Sequence, residues 1–433
     1  MQRDVEDARM TQNFETRAIH AGAAPDPTTK ARITPIYQTT AFVFDDADHA
    51  ANLFNLEAPG NIYTRLGNPT TGVLEARLAD LEGGVAALAV GSGHAAQFLA
   101  FHSLMEPGCN IVASRKLYGG SINQLGQSFK RMGWETTFID SDNPADYAAA
   151  INDKTRAVFV ESIANPGGVI TDIAAIAKVT HDAGVPLVVD NTLATPYLCR
   201  PFEHGADIIV HSLTKFLGGH GNSMGGAIID SGRFDWAASD KFGYLSQPNP
   251  SYHGKVFTQA FGPAAFIVAC RALGLRDLGP SISPFNAFMI LTGIETLPLR
   301  MQRHVDNALA VAKWLEANDK VAWVSYAGLD GNPYNALAKR YTPNGAGSVF
   351  SFGLKGGYQA GIKLVGGVKL FSHLANLGDT RSLIIHPAST THRQLDEKNQ
   401  IAAGAGPDVI RLSVGIENVA DLIADLEQAF AAL

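Results

Sequence analysis

The sequence predicts an α/β fold: a mostly parallel seven-stranded β-sheet with helices on both faces, followed by a smaller α+β domain. The first observation is that short apolar runs alternate with helix-compatible segments after about residue 70. The second is that these runs are apolar throughout, which is typical of strands buried on both faces. The predicted strands are Ala86–Val90, Asn110–Ser114, Glu135–Ile139, Ala157–Glu161, Leu187–Asp190, Asp207–His211 and Gly225–Ile229.

The segments between these strands fit helices, and the pattern changes after the last strand. Residues 230–262 are rich in aromatic residues and proline and predict a long loop, which is usually functional or disordered. The predicted helices are Ala95–Met105, Gly119–Met132, Ile173–Ala183, one or two within Pro284–Asn318, and an amphipathic closing helix at Val419–Leu433. Strands of the second domain are predicted at Val321–Tyr326, Ser348–Leu354, Ser382–Ile385 and Val409–Val414.

The first 65 residues are predicted to form an extended arm. Tyr37–Phe44 is the only strand-like piece, and breakers stand at Pro25, Pro27, Pro35 and Gly60. An arm of this kind buries too little to stay ordered alone, so we expect it to pack on a neighbouring subunit. The predicted domains are therefore the arm at 1–65, a ligand-binding α/β domain at 66–283 and a C-terminal α+β domain at 284–433.

Composition excludes several classes of protein. The net charge of −7 gives no basic surface for nucleic acid or an anionic membrane. The chain has 3 cysteines, widely spaced, which argues against a disulfide framework or a cysteine zinc cluster and suits the reducing cytoplasm. The first 30 residues lack the apolar core of a signal peptide, and no uninterrupted apolar run reaches the roughly 18 residues of a membrane span.

A lysine and an acid follow two of the predicted strands. One apolar run continues through Ser212 and Thr214 to Lys215, and another ends in Asp190. The carboxyl ends of parallel strands meet at one edge of a sheet, where such folds bind their ligands. Pyridoxal 5'-phosphate needs both groups, since a lysine amine forms its Schiff base and an acid keeps its pyridine nitrogen protonated. A surface lysine and a helix N-cap are the local alternatives, and neither explains the pairing.

Two segments are suited to binding the cofactor phosphate. Ser212 and Thr214 are short hydroxyl donors beside Lys215, and Gly218–Gly221 allows close approach of the backbone. Gly91–Ala96 follows a strand and opens a helix, whose N-terminus favours an anion. Its G-x-G-x-x-A pattern also fits a dinucleotide site, which needs an acid about 20 residues further on. The sequence has a serine and an arginine there, so NAD is the weaker alternative.

Two further side chains belong to the predicted site. Tyr118 lies beyond the second strand, close enough to cover a ring face, although an ordinary half-buried tyrosine fits equally well. Arg411 lies within an apolar strand, where an arginine is costly unless it is paired. A substrate carboxylate is one fitting partner, and an internal salt bridge with Glu417 is the alternative. The histidines form no i,i+4 pair with a helical acid and predict no metal site.

Together these residues resemble the Cys/Met-metabolism family of pyridoxal-phosphate enzymes, the cystathionine γ-synthase-like group of fold type I. The resemblance covers nearly the whole chain. Its motifs are Tyr63–Thr70, Ser92–Gly93, Leu117–Gly120, Asn165–Pro166, Asp190–Thr192, Ser212–Lys215, His386–Ser389 and Arg411–Gly415. Within the family, the subgroup acting on O-acetylhomoserine is favoured by the 230–262 insertion and by Pro35–Thr40, Phe44–His49, Pro250–Gly254, Leu377–Leu383 and Thr390–Leu395.

The resemblance implies roles in cofactor binding. Lys215 would carry the cofactor, Asp190 would pair with its pyridine nitrogen, and Tyr118 would stack on its ring. The residues implied to hold the phosphate are Ser92, Gly93, the His94 backbone, Ser212 and Thr214. His94 departs from the family, whose members usually have glutamine or methionine there.

The resemblance also implies contacts to substrate and to a second subunit. Asn165, Ser382 and Arg411 would position the substrate, with Arg411 on its carboxylate. Tyr63 and Arg65 would reach the phosphate of the adjacent subunit. A dimer would then be the catalytic unit, and the implied assembly is a cytoplasmic homotetramer built as a dimer of such dimers.

The implied activity is a γ-replacement. Acetate leaves O-acetyl-L-homoserine, and sulfide or methanethiol takes its place to give L-homocysteine or L-methionine. Lys215 would move the protons at Cα and Cβ. The nearest alternatives are a methionine or cystathionine γ-lyase or a cystathionine γ-synthase on the same fold, and an NAD-dependent oxidoreductase is a distant one.

Overall fold

Two β-sheets organise the chain in the computed structural model, which describes residues 12–394, 396–402 and 404–433. Residues 1–11 of the predicted arm and Leu395, the last residue of one family motif, lie outside the described residues. The larger sheet has 7 strands and the smaller has 5.

The larger sheet contains the strands that the apolar runs predict. They are β1 Ala86–Val90, β2 Asn110–Ser114, β3 Glu135–Ile139, β4 Thr155–Glu161, β5 Leu187–Asp190, β6 Ile208–Ser212 and β7 Gly226–Asp230. Their spatial order is β1-β7-β6-β5-β4-β2-β3. Only β7 runs against its neighbours β1 and β6, while the pairs from β6 to β3 are parallel. The predicted mostly parallel seven-stranded sheet is therefore confirmed.

Helices cover both faces of this sheet, because its strands are apolar on both sides. In β4, Val158 and Val160 point into one hydrophobic cluster, while Ala157 and Phe159 point into the other. The α-helices before, between and around these strands are Phe14–His20, Ala47–Phe54, Pro69–Glu82, Gly93–His102, Gly119–Asn123, Pro144–Ala150, Ile173–Asp182 and Thr195–Leu198. The helix predicted at Gly119–Met132 continues from Asn123 as a π-helix at Gln124–Ser128 and a 3₁₀ turn at Phe129–Met132.

The smaller sheet follows two long helices, Pro284–Glu295 and Leu297–Glu316. Its strands are β8 Val321–Ser325, β9 Val349–Leu354, β10 Ser372–His373, β11 Leu383–Ile385 and β12 Val409–Ser413. They lie in the order β10-β11-β12-β9-β8, mostly antiparallel. The helices of this part are Asn335–Tyr341, Gly357–Gly367, Glu397–Ala402 and Val419–Ala431.

The strand-like piece of the arm, Tyr37–Phe44, does not form a regular strand. Within the described residues, its β-pairing is limited to a bridge from Ala41 to Tyr63. Apolar side chains of the arm are nevertheless exposed, and Val43 is 96% exposed.

The long loop predicted at 230–262 contains short helical turns. Among them are Gly243–Ser246 and Phe257–Phe261. The helical stretch Phe257–Leu278 is long and apolar enough to cross a membrane by length and composition. Half of its apolar window is buried inside the protein, as in the core helix of a globular domain. Cys270 of this stretch, for example, is fully buried.

Candidate active site

The strand ends of the larger sheet meet at one cavity of about 380 Å³. Residues following β1, β4, β5 and β6 form its walls, because parallel strands bring their carboxyl ends to the same edge. The predicted site residues that line it are Ser92, Gly93, His94, Tyr118, Asn165, Asp190, Ser212, Thr214, Lys215 and Arg411.

Lys215 reaches this cavity from the turn after β6. Its Nζ donates a hydrogen bond to Asn376 Oδ1 at 2.6 Å. Burial, and then the nearby charge of Arg411, lower the pKa of Lys215 to about 8. A neutral amine is therefore accessible near physiological pH, as a nucleophile or a base requires.

Asp190 is the last residue of β5 and lies within the same cavity. Its Oδ1 accepts a hydrogen bond from the Thr192 N–H at 2.9 Å, and its Oδ2 accepts one from Gln97 Nε2 at 3.2 Å. Each oxygen of the carboxylate is thus held by a donor, which fixes its direction. The Asp190 carboxylate is therefore available to pair with a protonated ring nitrogen of a ligand in the cavity.

The anion-binding wall combines a helix N-terminus with hydroxyl groups. Ser92 is the N-cap of the helix Gly93–His102, and its Oγ accepts from Ala95 N–H at 3.2 Å. Gly93 lies so close to Ser212 that a Cβ would come within 2.8 Å of the serine Cβ. The free N–H groups of the helix and the nearby hydroxyl therefore converge on one place, where a phosphate is favourable.

Tyr118 faces the cavity with its ring beside that of His94. The two rings are stacked, with centroids 5.9 Å apart and an interplanar angle of 26°. Burial lowers the pKa of His94, which favours the neutral imidazole. The backbone carbonyl of His94 accepts from Gln124 Nε2 at 3.0 Å, which anchors the loop independently of the imidazole.

Arg411 projects from β12 into the cavity and has no carboxylate partner among the described ion pairs. Its Nη1 donates to Asn165 Oδ1 at 3.2 Å, and its Nη2 donates to the Asn376 carbonyl at 3.0 Å. Its Nε has no hydrogen-bond partner in the part of the chain that the structure describes. Burial lowers the pKa of Arg411 to about 10. The alternative of a salt bridge to Glu417 is wrong, and the guanidinium remains available to an anionic ligand.

Ser382 does not line the cavity, which corrects its predicted place in the substrate site. It is fully buried, its Oγ donates to Glu417 Oε2 at 2.9 Å, and it accepts from Gly415 N–H at 2.8 Å. The hydroxyl is used to satisfy Glu417 and the backbone that follows β12. Asn376, six residues earlier, contacts both Lys215 and Arg411 instead.

Tyr63 and Arg65 also lie away from the cavity of their own chain. The Arg65 guanidinium lies over the Tyr63 ring, 5.4 Å from its centroid, and donates to the Arg276 carbonyl. Tyr63 is 40% exposed. The structure describes one chain, so their predicted contact with an adjacent subunit stays a prediction.

The cavity is also lined by residues that are neither predicted site residues nor part of a family motif, among them Gln97, Glu161 and Asn376. Glu161 ends an apolar strand just as Asp190 does, so its position in the sequence could have indicated that it belongs to the site. Gln97 lies about one helical turn after Gly93 and contacts Asp190 from the helix. Asn376 comes from the second domain, and no local pattern indicates its contact with Lys215.

The residues present fit pyridoxal phosphate. A buried amine with a lowered pKa, a carboxylate on a neighbouring strand and an anion-binding helix N-terminus face a single cavity. An arginine with an unpaired, buried Nε completes the set and suits a carboxylate-bearing substrate. These are the groups that an amino-acid enzyme using this cofactor requires.

The chain belongs to the family described as Cys/Met metabolism PLP-dependent enzyme, which residues 15–431 match. It is therefore a pyridoxal-phosphate enzyme of fold type I acting on small molecules. It is 54% identical to O-acetyl-L-homoserine sulfhydrylase of Leptospira meyeri, over 97% of both chains. It is 51% identical to homocysteine synthase of Schizosaccharomyces pombe, over 97% of this chain and 98% of that relative.

A solved structure supports the same assignment. This chain superposes on a crystal structure named as an O-acetylhomoserine (thiol)-lyase from Campylobacter jejuni, with a TM-score of 0.94 and 41% sequence identity. The match covers 97% of this chain and 100% of that one. That crystal structure contains a pyridoxyl-lysine phosphate. The fold and the cofactor predicted from the sequence are thereby confirmed.

Proposed function

We propose that the protein catalyses a γ-replacement in which O-acetyl-L-homoserine and sulfide give L-homocysteine and acetate. The observation that carries the proposal is that Lys215 and Arg411 face one cavity and share Asn376 as a hydrogen-bond partner. A base and a carboxylate-binding cation are thus held at a defined separation, as an α-amino acid substrate requires. The full-length likeness to enzymes named for this reaction supports the same substrate.

The geometry of the cavity supports the proposed cofactor-binding roles. Lys215 would hold the cofactor covalently, with Asp190 at its ring nitrogen and Tyr118 over its ring. When bound, pyridoxal phosphate supplies an electron sink for the carbon next to the amino group. The residues proposed to bind its phosphate are Ser92, Gly93, the His94 backbone, Ser212 and Thr214.

The substrate amino group would displace the Lys215 amine from the cofactor, and the freed amine would then move protons on the substrate. The Lys215 amine would accept the Cα proton, pass that proton to the bound cofactor and, once neutral again, accept a Cβ proton, which a pKa of about 8 makes feasible. Loss of the Cβ proton drives acetate from Cγ with the electron pair of the C–O bond. Hydrosulfide adds to Cγ, and return of the two protons completes homocysteine. Arg411 holds the substrate carboxylate throughout, oriented by Asn165.

The assembly and location are also proposals. Exposed apolar side chains of the arm, including Val43 and Tyr63, support its packing on a second subunit. Tyr63 and Arg65 would then reach the phosphate of that subunit's cofactor, and two such dimers would form a tetramer. Three buried free cysteines suit the cytoplasm.

A product assay tests the proposed reaction. Purified enzyme is given O-acetyl-L-homoserine with sulfide, with methanethiol, with cysteine, or alone, and then O-succinyl-L-homoserine or O-acetyl-L-serine with sulfide. Methionine and cystathionine are each supplied alone in parallel. We expect homocysteine and acetate from the first pair, in equal amounts. Ammonia and a keto acid from methionine or cystathionine alone would instead identify a γ-lyase, and cystathionine formed from cysteine would identify a synthase.

A further inference from the structure

Glu161 is a second acid at the edge of the sheet, directly beside Asp190. It ends β4, pairs in register with Asp190 of β5, and is 4% exposed. Burial, and then the charge of Asp190, raise the pKa of Glu161 well above its ordinary value. Two adjacent carboxylates in one wall of the cavity repel each other, so hydrogen-bond donors are required to compensate for the repulsion.

Two backbone groups supply that compensation. The N–H of Tyr118 donates to Glu161 Oε1 at 2.6 Å, and the N–H of Asn165 donates to Glu161 Oε2 at 3.0 Å. Each oxygen of the carboxylate therefore binds a different loop, one after β2 and one after β4. Both N–H groups lower the pKa of Glu161 and so favour its charged form against the effect of burial, and hydrogen bonds to a charged acceptor are the stronger kind.

The two loops carry side chains that face the cavity. Tyr118 precedes the helix Gly119–Asn123, and its ring lies beside His94. The side chain of Asn165 accepts from Arg411 Nη1 at 3.2 Å. Displacing Glu161 would therefore move both the ring proposed to cover the cofactor and the amide that orients the guanidinium.

We infer that Glu161 is a positioning residue that holds Tyr118 over the cofactor site and Asn165 against Arg411, acting through their backbone N–H groups. The inference rests on the proposed function for the roles of these two side chains. Glu161 would not touch the reacting atoms of the substrate. It would instead determine the positions of two cavity side chains, those of Tyr118 and Asn165.

Glu161→Gln tests the inference, because a glutamine offers only one acceptor oxygen to the two N–H groups. Amide hydrogen exchange is measured on the full chain without and with pyridoxal phosphate. We expect the Tyr118 and Asn165 amides to exchange about tenfold faster in the variant, since a charged hydrogen bond is lost. The dissociation constant of pyridoxal phosphate and the KM for O-acetylhomoserine should each rise about tenfold, with a smaller change in kcat.

Asp425→Asn is the matched control. Asp425 is also a buried carboxylate that accepts backbone N–H groups, from Lys369 at 2.8 Å, Leu370 at 2.8 Å and Phe371 at 3.0 Å, but it does not line the cavity. The control should lose thermal stability while exchange at Tyr118 and Asn165, cofactor affinity and KM stay as in the wild type. If Glu161→Gln behaves like this control, Glu161 is only structural and the inference is wrong.

Two further measurements decide the matter if Glu161→Gln does not fold. Glu161→Asp retains the charge but is shorter by one methylene, so it cannot span both loops, and we expect the same faster exchange. In the wild type itself, Tyr118 and Asn165 amides that exchange like exposed loop amides would overturn the inference. Exchange and cofactor affinity need no turnover. Failure of the enzyme to form homocysteine would therefore count against the proposed function alone.

Discussion

The Lys215 Nζ donates a hydrogen bond to Asn376 Oδ1 across 2.6 Å, although the two residues are 161 positions apart in the chain. The backbone carbonyl of the same asparagine accepts a hydrogen bond from Arg411 Nη2 at 3.0 Å. A neutral amide directs the amine without supplying the negative charge that would raise the pKa of Lys215. The acceptor thus orients the lysine, while burial lowers its pKa and raises the fraction of neutral amine that can accept a proton.

Asn376→Ala should lower kcat about tenfold or more, because a buried amine is left without its acceptor. The measurement is steady-state homocysteine formation at saturating O-acetylhomoserine and sulfide. Asn376→Gln, which retains an amide at a longer reach, should recover part of the loss. An unchanged kcat in Asn376→Ala would show that the hydrogen bond does not orient the working amine.

Cofactor attachment by the apoenzyme should depend on pH with a midpoint near the Lys215 pKa of about 8. Only the neutral amine attacks the cofactor aldehyde, so the rate should rise with pH and level off above the midpoint. Arg411→Met removes a positive charge that lowers the pKa of Lys215, so its midpoint should move to higher pH. Stopped-flow absorbance measures the rate of cofactor attachment against pH for the wild type and the variant. A wild-type midpoint near the pKa of free lysine would contradict the assignment.

Arg411→Lys should raise the KM for O-acetylhomoserine by about tenfold to a hundredfold. A lysine keeps the charge but cannot bind a carboxylate through two parallel hydrogen bonds. The effect should fall mainly on KM, because the carboxylate is bound equally in the ground state and the transition state. The KM for sulfide serves as the internal control and should change little.

Gly226→Ala should disrupt the phosphate-binding wall. A Cβ at Gly226 would lie 2.0 Å from the Ser92 carbonyl oxygen, so the loop before the helix Gly93–His102 must shift. We expect loss of pyridoxal phosphate on dialysis and a lower melting temperature. Gly366→Ala is the matched control, since nothing lies within 4 Å of its added Cβ, and it should be neutral or stabilise by about 0.5–1 kcal/mol.

Lys215→Ala should abolish turnover and remove the visible absorbance of the lysine-bound cofactor. The phosphate-binding and ring-binding residues remain, so the variant should still take up pyridoxal phosphate non-covalently. Absorbance spectra and a product assay on the same preparation give both readouts. A variant that retained turnover would disprove the role of Lys215.

The larger sheet was predictable because its strands carry the signal locally. In β4, Ala157–Val160 is apolar throughout, and burial on both faces leaves no other arrangement for such a run. Lys215 and Asp190 were predictable for the same reason, since each follows a recognisable strand end. The arm was less predictable: Tyr37–Phe44 has strand-like residues but no partner strand among the residues that the structure describes.

The sequence by itself determined the fold class, the cofactor and the residues adjacent to the strand ends, because periodicity and strand position are local properties. Only the tertiary structure decided which part of the second domain meets Lys215. Gly378 packs so closely that a Cβ would come within 3.1 Å of the Lys215 Cβ, and this contact brings Asn376 to the amine. Ser382 is turned away toward Glu417 by the same loop. Contacts between domains depend on packing at long sequence separation, and no local pattern encodes them.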